Sequence, residues 1–167
     1  MTDKKLFVFD VDGTLTDGGI LISSNGVEVK RFQAKDGLIV RVLPEIGVET
    51  LILTGRNSEL TQIRAEDLHV SYIFQGVNDK VGILSRFMAE NGFSSEQVVF
   101  FGDDLNDYTA MMLCKHRVCP SDAAEEIKNI CEYVSTYPGG EGAVRDCCEV
   151  MLKKFGLYSD FTKLFGV

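Results

Sequence analysis

Positive charge is scarce in this sequence. Its 17 lysines and arginines face 25 aspartates and glutamates, which leaves a formal net charge of −8. A nucleic-acid binder usually carries a basic patch or stripe, and none runs through this chain, so no nucleic-acid partner is expected. An acidic surface is also repelled by anionic membranes and favours solubility. Phosphate-bearing small molecules stay open, because a metal ion and a few lysines can supply positive charge locally.

Metal-binding and disulfide patterns are equally thin. The five cysteines, Cys114, Cys119, Cys131, Cys147 and Cys148, are odd in number and form no C-x-x-C. Only His69 and His116 could join them in a zinc site, and the spacings do not suit one. The thiols read as buried and reduced. No apolar run is long enough to span a membrane. The first, Leu6-Phe7-Val8-Phe9, meets Asp10 and Asp12 at once, so neither a signal peptide nor a membrane span is expected. The expected compartment is the cytosol. There is no linker, repeat or low-complexity tract, and the three prolines, Pro44, Pro120 and Pro138, suit helix ends or loops.

What is present is an alternation of strand and helix. At 167 residues one domain spanning 1–167 is expected, large enough to bury roughly 70% of its unfolded surface without staples. Leu6–Phe9 is a continuous apolar run, as in a buried parallel strand. Val48–Leu53, Tyr72–Phe74, Val98–Phe101 and Val118-Cys119 repeat it. Helical segments fall near 37–46, 58–68, 80–91, 104–113, 123–130 and 142–154. The expected fold is α/β, a doubly wound Rossmann-like parallel sheet with helices on both faces. One insertion, residues 19–32, breaks the rhythm. There Asn25-Gly26 separates two alternating runs, which signals a β-hairpin.

Ligands of such sheets bind beyond the carboxyl ends of the strands. Beyond the first run stand Asp10, Asp12 and Thr14. Beyond the second stands Thr54-Gly55-Arg56, and beyond Val98–Phe101 stands Gly102-Asp103-Asp104, with Asp107 close behind. Each residue alone could be a turn former. Several carboxylates on one edge repel and raise one another's pKa values, so a cluster calls for a cation. All-oxygen donors suit Mg²⁺. Lys80 opens a helix after Asn78-Asp79, where a cation opposes the helix dipole by about 0.3–1 kcal/mol. That placement suits a lysine facing an anion; a solvated lysine is the plain alternative.

These residues, in this order, resemble the four motifs of the haloacid dehalogenase-like phosphatases: Asp10-Val11-Asp12-Gly13-Thr14, then Thr54, then Lys80, then Gly102-Asp103-Asp104-Leu105-Asn106-Asp107. The resemblance covers nearly the whole chain and implies roles. Asp10 would be the nucleophile, forming an aspartyl phosphate. Asp12 would be the general acid and base. Mg²⁺ would sit on Asp10, the main-chain carbonyl of Asp12, and Asp103. Asp104 and Asp107 would orient its waters and Lys80. Thr54, the Gly55 amide and Lys80 would hold the phosphoryl oxygens.

With only a hairpin after the first motif and a short Thr54–Lys80 interval, the chain is similar to cap-less members that act on 3-deoxy-D-manno-octulosonate 8-phosphate or on nine-carbon sugar acid 9-phosphates. Thr16-Asp17-Gly18, Lys35-Asp36-Gly37, Gln75-Gly76 and Gly139-Gly140-Glu141-Gly142 with Arg145 add to the likeness. Singly they have structural readings: Asp36 as a helix N-cap, the glycines as tight-loop formers. Arg56 favours the eight-carbon acid, because similar eight-carbon sugar-acid phosphatases tend to carry arginine at this place whereas some nine-carbon relatives carry glutamate; a guanidinium there can pair with the substrate carboxylate. The alternative for Arg56 is a surface pair with Glu59 or another acid. Residues 72–77 and 139–142 also look like the nine-carbon enzymes. In such relatives hairpins from four subunits meet, so a homotetramer is expected; a hairpin folded back on its own core is the alternative. A phosphatase of macromolecules and a non-catalytic sugar-phosphate binding module remain the competing readings.

Overall fold

The computed structural model describes residues 4–167. A six-stranded sheet organises the chain in the order β5-β4-β1-β6-β7-β8, every neighbouring pair parallel. Its strands are β1 (Lys5–Phe9), β4 (Val48–Leu53), β5 (Tyr72–Phe74), β6 (Val98–Phe101), β7 (His116–Cys119) and β8 (Tyr133–Val134). β1 lies inside the sheet. The chain builds outward from it through β4 and β5, then returns to its other side for β6, β7 and β8. That reversal makes a switch point beside β1, where an open α/β sheet leaves a crevice at its carboxyl edge.

Side chains alternate across a strand, so the unbroken apolar run of β1 feeds two cores. Phe7 and Phe9 join a cluster with Ile52, Phe101 and Val118. It is covered by α1 (Ala34–Val42), α2 (Glu59–Asp67), α6 (Ala143–Lys154) and α7 (Tyr158–Lys163). Leu6 and Val8 join Leu51, Leu53 and Phe100 on the opposite face. α3 (Lys80–Asn91), α4 (Leu105–Met111) and α5 (Glu125–Ile130) cover that face. The expected doubly wound sheet, with helices on both faces and no large cap, is the fold found.

Several local expectations change in the folded chain. Asp36 does not cap its own helix. α1 begins at Ala34 with Gln33 at its N-cap, which puts Asp36 in the first turn. Its buried carboxylate instead accepts hydrogen bonds from the Gly142 and Arg145 amides, at 3.3 and 2.8 Å. Asp36 therefore caps α6, some hundred residues away, and fastens α1 to it. Arg145 pairs with Glu149 and lies over the Phe161 ring, 5.1 Å from its centroid. Edge strand β8 and helix α7 went unforeseen. Four of the five cysteines are buried as expected, Cys131 only partly, and all five are free thiols.

The hairpin is shorter than its alternation. Only β2 (Leu21–Ile22) and β3 (Glu28–Val29) pair, antiparallel. Asn25-Gly26 sits within a longer loop. There the Ser23 hydroxyl accepts from the Val27 amide at 3.0 Å, and Gly26 takes φ +83°, a left-handed value that glycine adopts without strain. Leu21, Ile22, Val27 and Val29 are each more than half exposed, so the hairpin does not fold its apolar face onto its own core. A single bridge, Thr16 to Phe32, ties its base to the body.

Candidate active site

The register of the central strands brings the sequence motifs to one edge. Phe9 aligns with Ile52 on β4 and with Phe101 on β6, and the Asp10 amide donates to the Phe101 carbonyl at 3.0 Å. The residues that leave these strands, Asp10, Thr54 and Asp103, must therefore emerge side by side. Gly13 makes the close approach possible. It turns the chain at φ +97°, and a Cβ there would overlap the Asp103 carboxylate. Thr14 then donates from its hydroxyl to Asp103 Oδ1 at 3.1 Å.

Lys80 reaches this edge from the first residue of α3. Its Nζ lies 2.7 Å from Asp10 Oδ1 and 2.6 Å from Asp107 Oδ1. All three side chains are buried. Asp107 also accepts from the Asp103 amide at 3.2 Å, which locks α4 to the end of β6. Burial works against the Lys80 charge, but Asp10 and Asp107 outweigh it and hold the ammonium above the ordinary lysine range. The carboxyls pay for their company. Burial pushes Asp10 up to about 7, with the Asp107 charge adding to the rise and Lys80 opposing it. Burial pushes Asp103 up to about 8, with Asp10 and Asp107 adding.

Asp10, Asp103 and Asp107 form the one group of three or more metal-ligating side chains among the described residues, with ligand atoms within 4.8 Å of one another. The donors are all carboxylate oxygens, and one lysine cannot neutralise three of them. Such a set fits a hard divalent cation and offers no thiolate or imidazole for zinc. Asp104, expected to help orient Lys80, does not reach it. Asp104 is exposed, and its carboxylate accepts from the Leu105 amide at the N-terminus of α4.

Thr54 is buried at the end of β4, with its amide donating to the Phe74 carbonyl and its carbonyl accepting from Val77. Gly55 and Arg56 follow and are exposed. Arg56 bends over the hairpin. Its Nη2 donates to Glu28 at 3.1 Å, and its Nε lies 3.9 Å from Asp12 Oδ2. The surface-pair alternative allowed for Glu59 or another acid, and the acid found is Glu28. Glu28 also accepts from the Ser58 hydroxyl at 2.9 Å.

One residue of this edge escaped the sequence reading altogether. Lys30, directly after β3, donates to Asp12 Oδ1 at 2.6 Å. The available signal was the alternation itself: Glu28, Lys30 and Phe32 share the strand face opposite Val27 and Val29, so a strand that exposes its valines turns its charges inward. The glycines of 139–142 also gain a reason. A Cβ on Gly139 would overlap the Gly13 carbonyl, and one on Gly140 would overlap the Thr16–Asp17 backbone, so this loop lies against the first motif.

Comparison with known proteins points the same way. A family model described as haloacid dehalogenase-like hydrolase matches residues 56–145. The 3-deoxy-D-manno-octulosonate 8-phosphate phosphatase of Yersinia pestis is 34% identical over 148 residues, 89% of this chain and 79% of that protein. The Moraxella catarrhalis phosphatase of the same name, solved with magnesium, phosphate and 3-deoxy-D-manno-octulosonate, superposes with a TM-score of 0.92 at 36% identity, over 98% of this chain and 94% of that one. The cobalt-bound Haemophilus influenzae phosphatase superposes with a TM-score of 0.88 at 32% identity, over 95% and 93%.

Proposed function

This chain belongs to the haloacid dehalogenase-like hydrolases, in the cap-less branch of the octulosonate phosphatases, and from that premise we propose that it hydrolyses 3-deoxy-D-manno-octulosonate 8-phosphate to the free sugar acid and phosphate. It is a phosphoric monoester hydrolase with Mg²⁺ as its cofactor. The observation that carries the proposal is Lys80 bridging Asp10 and Asp107 beside Asp103 at the switch point of the sheet. A binding module has no use for a carboxylate that burial and a like-charged neighbour hold well above the usual range and that a buried lysine grips at one oxygen.

In the proposed reaction Lys80 holds Asp10 Oδ1, and the other oxygen of Asp10 attacks phosphorus. The phosphorus–oxygen bond to the sugar breaks as Asp12 gives the leaving oxygen a proton. Asp12 then takes a proton from the water that attacks the aspartyl phosphate, and Asp10 is regenerated. Thr54, the Gly55 amide and Lys80 bind the phosphoryl oxygens. Asp10, Asp103 and the main-chain carbonyl of Asp12 would hold Mg²⁺. When bound, the ion shields the anionic nucleophile from the anionic phosphate. Asp107 keeps Lys80 in place.

Arg56 lies at the mouth of the site and is the proposed partner of the substrate carboxylate. The test is phosphate release from a panel of sugar and sugar-acid phosphates with and without Mg²⁺, by wild type and Arg56→Ala. Preference for the eight-carbon acid, reduced in Arg56→Ala, supports the reading. Preference for a nine-carbon acid 9-phosphate would replace the substrate but keep the chemistry.

The further proposals concern assembly and place. Residues 1–167 are read as one domain with 19–32 as its insertion. The exposed apolar face of the hairpin supports a homotetramer built through that insertion, since such an edge invites pairing with another copy. Five free thiols suit the cytoplasm. Among the described residues no helix is long and apolar enough to cross a membrane.

A further inference from the structure

The hairpin arm touches the site through Lys30, a residue to which the mechanism above gives no task. Lysine is almost never fully buried unless paired, yet the Lys30 side chain is 1% exposed, and its ammonium lies 2.6 Å from Asp12 Oδ1. Taking an ammonium out of water is costly without a strong partner, so this placement has to be held by something. The arm is held on both sides of Lys30. Glu28, two residues before it on the same face, is pinned by Ser58 and Arg56. Phe32, two residues after it, forms the bridge to Thr16. Three consecutive inward positions are therefore fixed while Val27 and Val29 stay outside.

We propose that Lys30 is a positioning residue for proton transfer: by holding Oδ1 of Asp12, it presents Oδ2 to the leaving oxygen of the substrate, which makes the arm part of the reaction apparatus. The proposal rests on the reading of Asp12 as general acid and base. Asp12 gives its proton to the bridging oxygen as the phosphorus–oxygen bond breaks, and the bond pair stays on that oxygen. In the second step Asp12 recovers a proton from water. Lys30 keeps all its protons throughout. Arg56, 3.9 Å from Oδ2, flanks the oxygen left available.

Leaving-group chemistry separates positioning from simple structural support. The alkoxide of the octulosonate 8-phosphate needs a proton to depart, whereas the aryl oxide of p-nitrophenyl phosphate departs without one. Lys30→Met should lower kcat on the octulosonate 8-phosphate by about 10–10²-fold, within the range of general acid–base help. On p-nitrophenyl phosphate it should change the single-turnover rate of p-nitrophenol release, which precedes the water step that Asp12 also serves, by less than about threefold. Lys30→Arg should recover part of the loss. In an Asp12→Asn background Lys30→Met should add no further loss, because a residue acting through Asp12 is not additive with it. Equal losses on both substrates in the single-turnover release of the leaving group, a further loss in the Asp12→Asn background, or no loss at all would overturn the proposal. If Asp12→Asn alone keeps full turnover, the acid–base reading itself fails, whatever Lys30→Met does. Melting curves accompany each variant, and Lys30→Gln carries the same comparison should Lys30→Met not fold.

Discussion

Lys80 Nζ lies 2.7 Å from Asp10 Oδ1, although seventy residues of chain separate them. The lysine comes from the first turn of α3 and the aspartate from the end of β1, and Asp107 completes the contact from α4.

This arrangement makes removal of the Asp10 charge tolerable to the fold. In Asp10→Asn the ammonium keeps Asp107 at 2.6 Å, so the expected outcome is a folded protein with no turnover, because an amide is a far poorer nucleophile. Asp12→Asn should lose about 10²–10⁴-fold. Circular dichroism and steady-state phosphate release check both, and substantial Mg²⁺-dependent turnover by clean Asp10→Asn would sink the covalent mechanism.

The raised carboxyls tie stability to pH. Burial and like charge hold Asp10 and Asp103 at about 7 and about 8 in the fold, well above the ordinary 3.8 of an aspartate, so the folded chain binds these protons more tightly than the unfolded one. Their contribution to stability therefore falls as pH rises from about 4 to about 8 and levels off above that. Metal-free protein should melt lower at pH 8 than at pH 6, and Asp103→Asn should flatten the slope. Mg²⁺ needs the ionised carboxylates, so its stabilisation should grow over the same window. Melting scans with chelator and with Mg²⁺ decide the matter, and a metal-free melting temperature that rises toward pH 8 and is indifferent to Asp103→Asn would contradict it.

Gly139 touches the first motif with no room for a side chain. Gly139→Ala should push the Gly13 carbonyl aside, cost about 1–3 kcal/mol as overpacking does, and lower kcat as Asp10 and Asp12 shift. Denaturant midpoints and kinetics measured together test this. A variant as stable and as active as wild type would show that the loop gives way freely.

Asp36 caps α6 from α1. Asp36→Ala should cost about 0.5–2 kcal/mol as a lost N-cap, and Asp36→Asn, which keeps acceptor oxygen, should cost less. The catalytic rate of the folded fraction should be untouched by either, as urea titration and active-site-normalised kcat would reveal.

Ile22 stands on the exposed face of the hairpin. If four hairpins meet, wild type sediments as a tetramer, and Ile22→Asp as a smaller species that keeps its fold. A wild-type monomer at micromolar concentration with full activity would end the tetramer proposal.

Much of the fold was legible because its signals are local. β4, β5, β6 and α3 occupy the very spans that their apolar runs and helical periods mark. β8 was not legible, since two residues, Tyr133 and Val134, carry no period. α7 was passed over in a short C-terminal stretch whose place is set by Phe161 in the core. The hairpin was visible from Asn25-Gly26, but its true pairing depended on the Ser23 hydroxyl taking up the Val27 amide.

The sequence by itself determined the alternation of strand and helix, the acidic oxygens at the ends of the apolar runs, and the order of the four motifs. These follow from side-chain period and residue type, which act over a few neighbours. Only the tertiary structure decided which polar groups meet: Lys80 on Asp10, Asp36 on the start of α6, Arg56 on Glu28, Lys30 on Asp12. Such partners are chosen by strand register, by where each crossover returns, and by the cost of leaving a buried charge unpaired. None of those quantities is carried by a stretch of chain short enough to read.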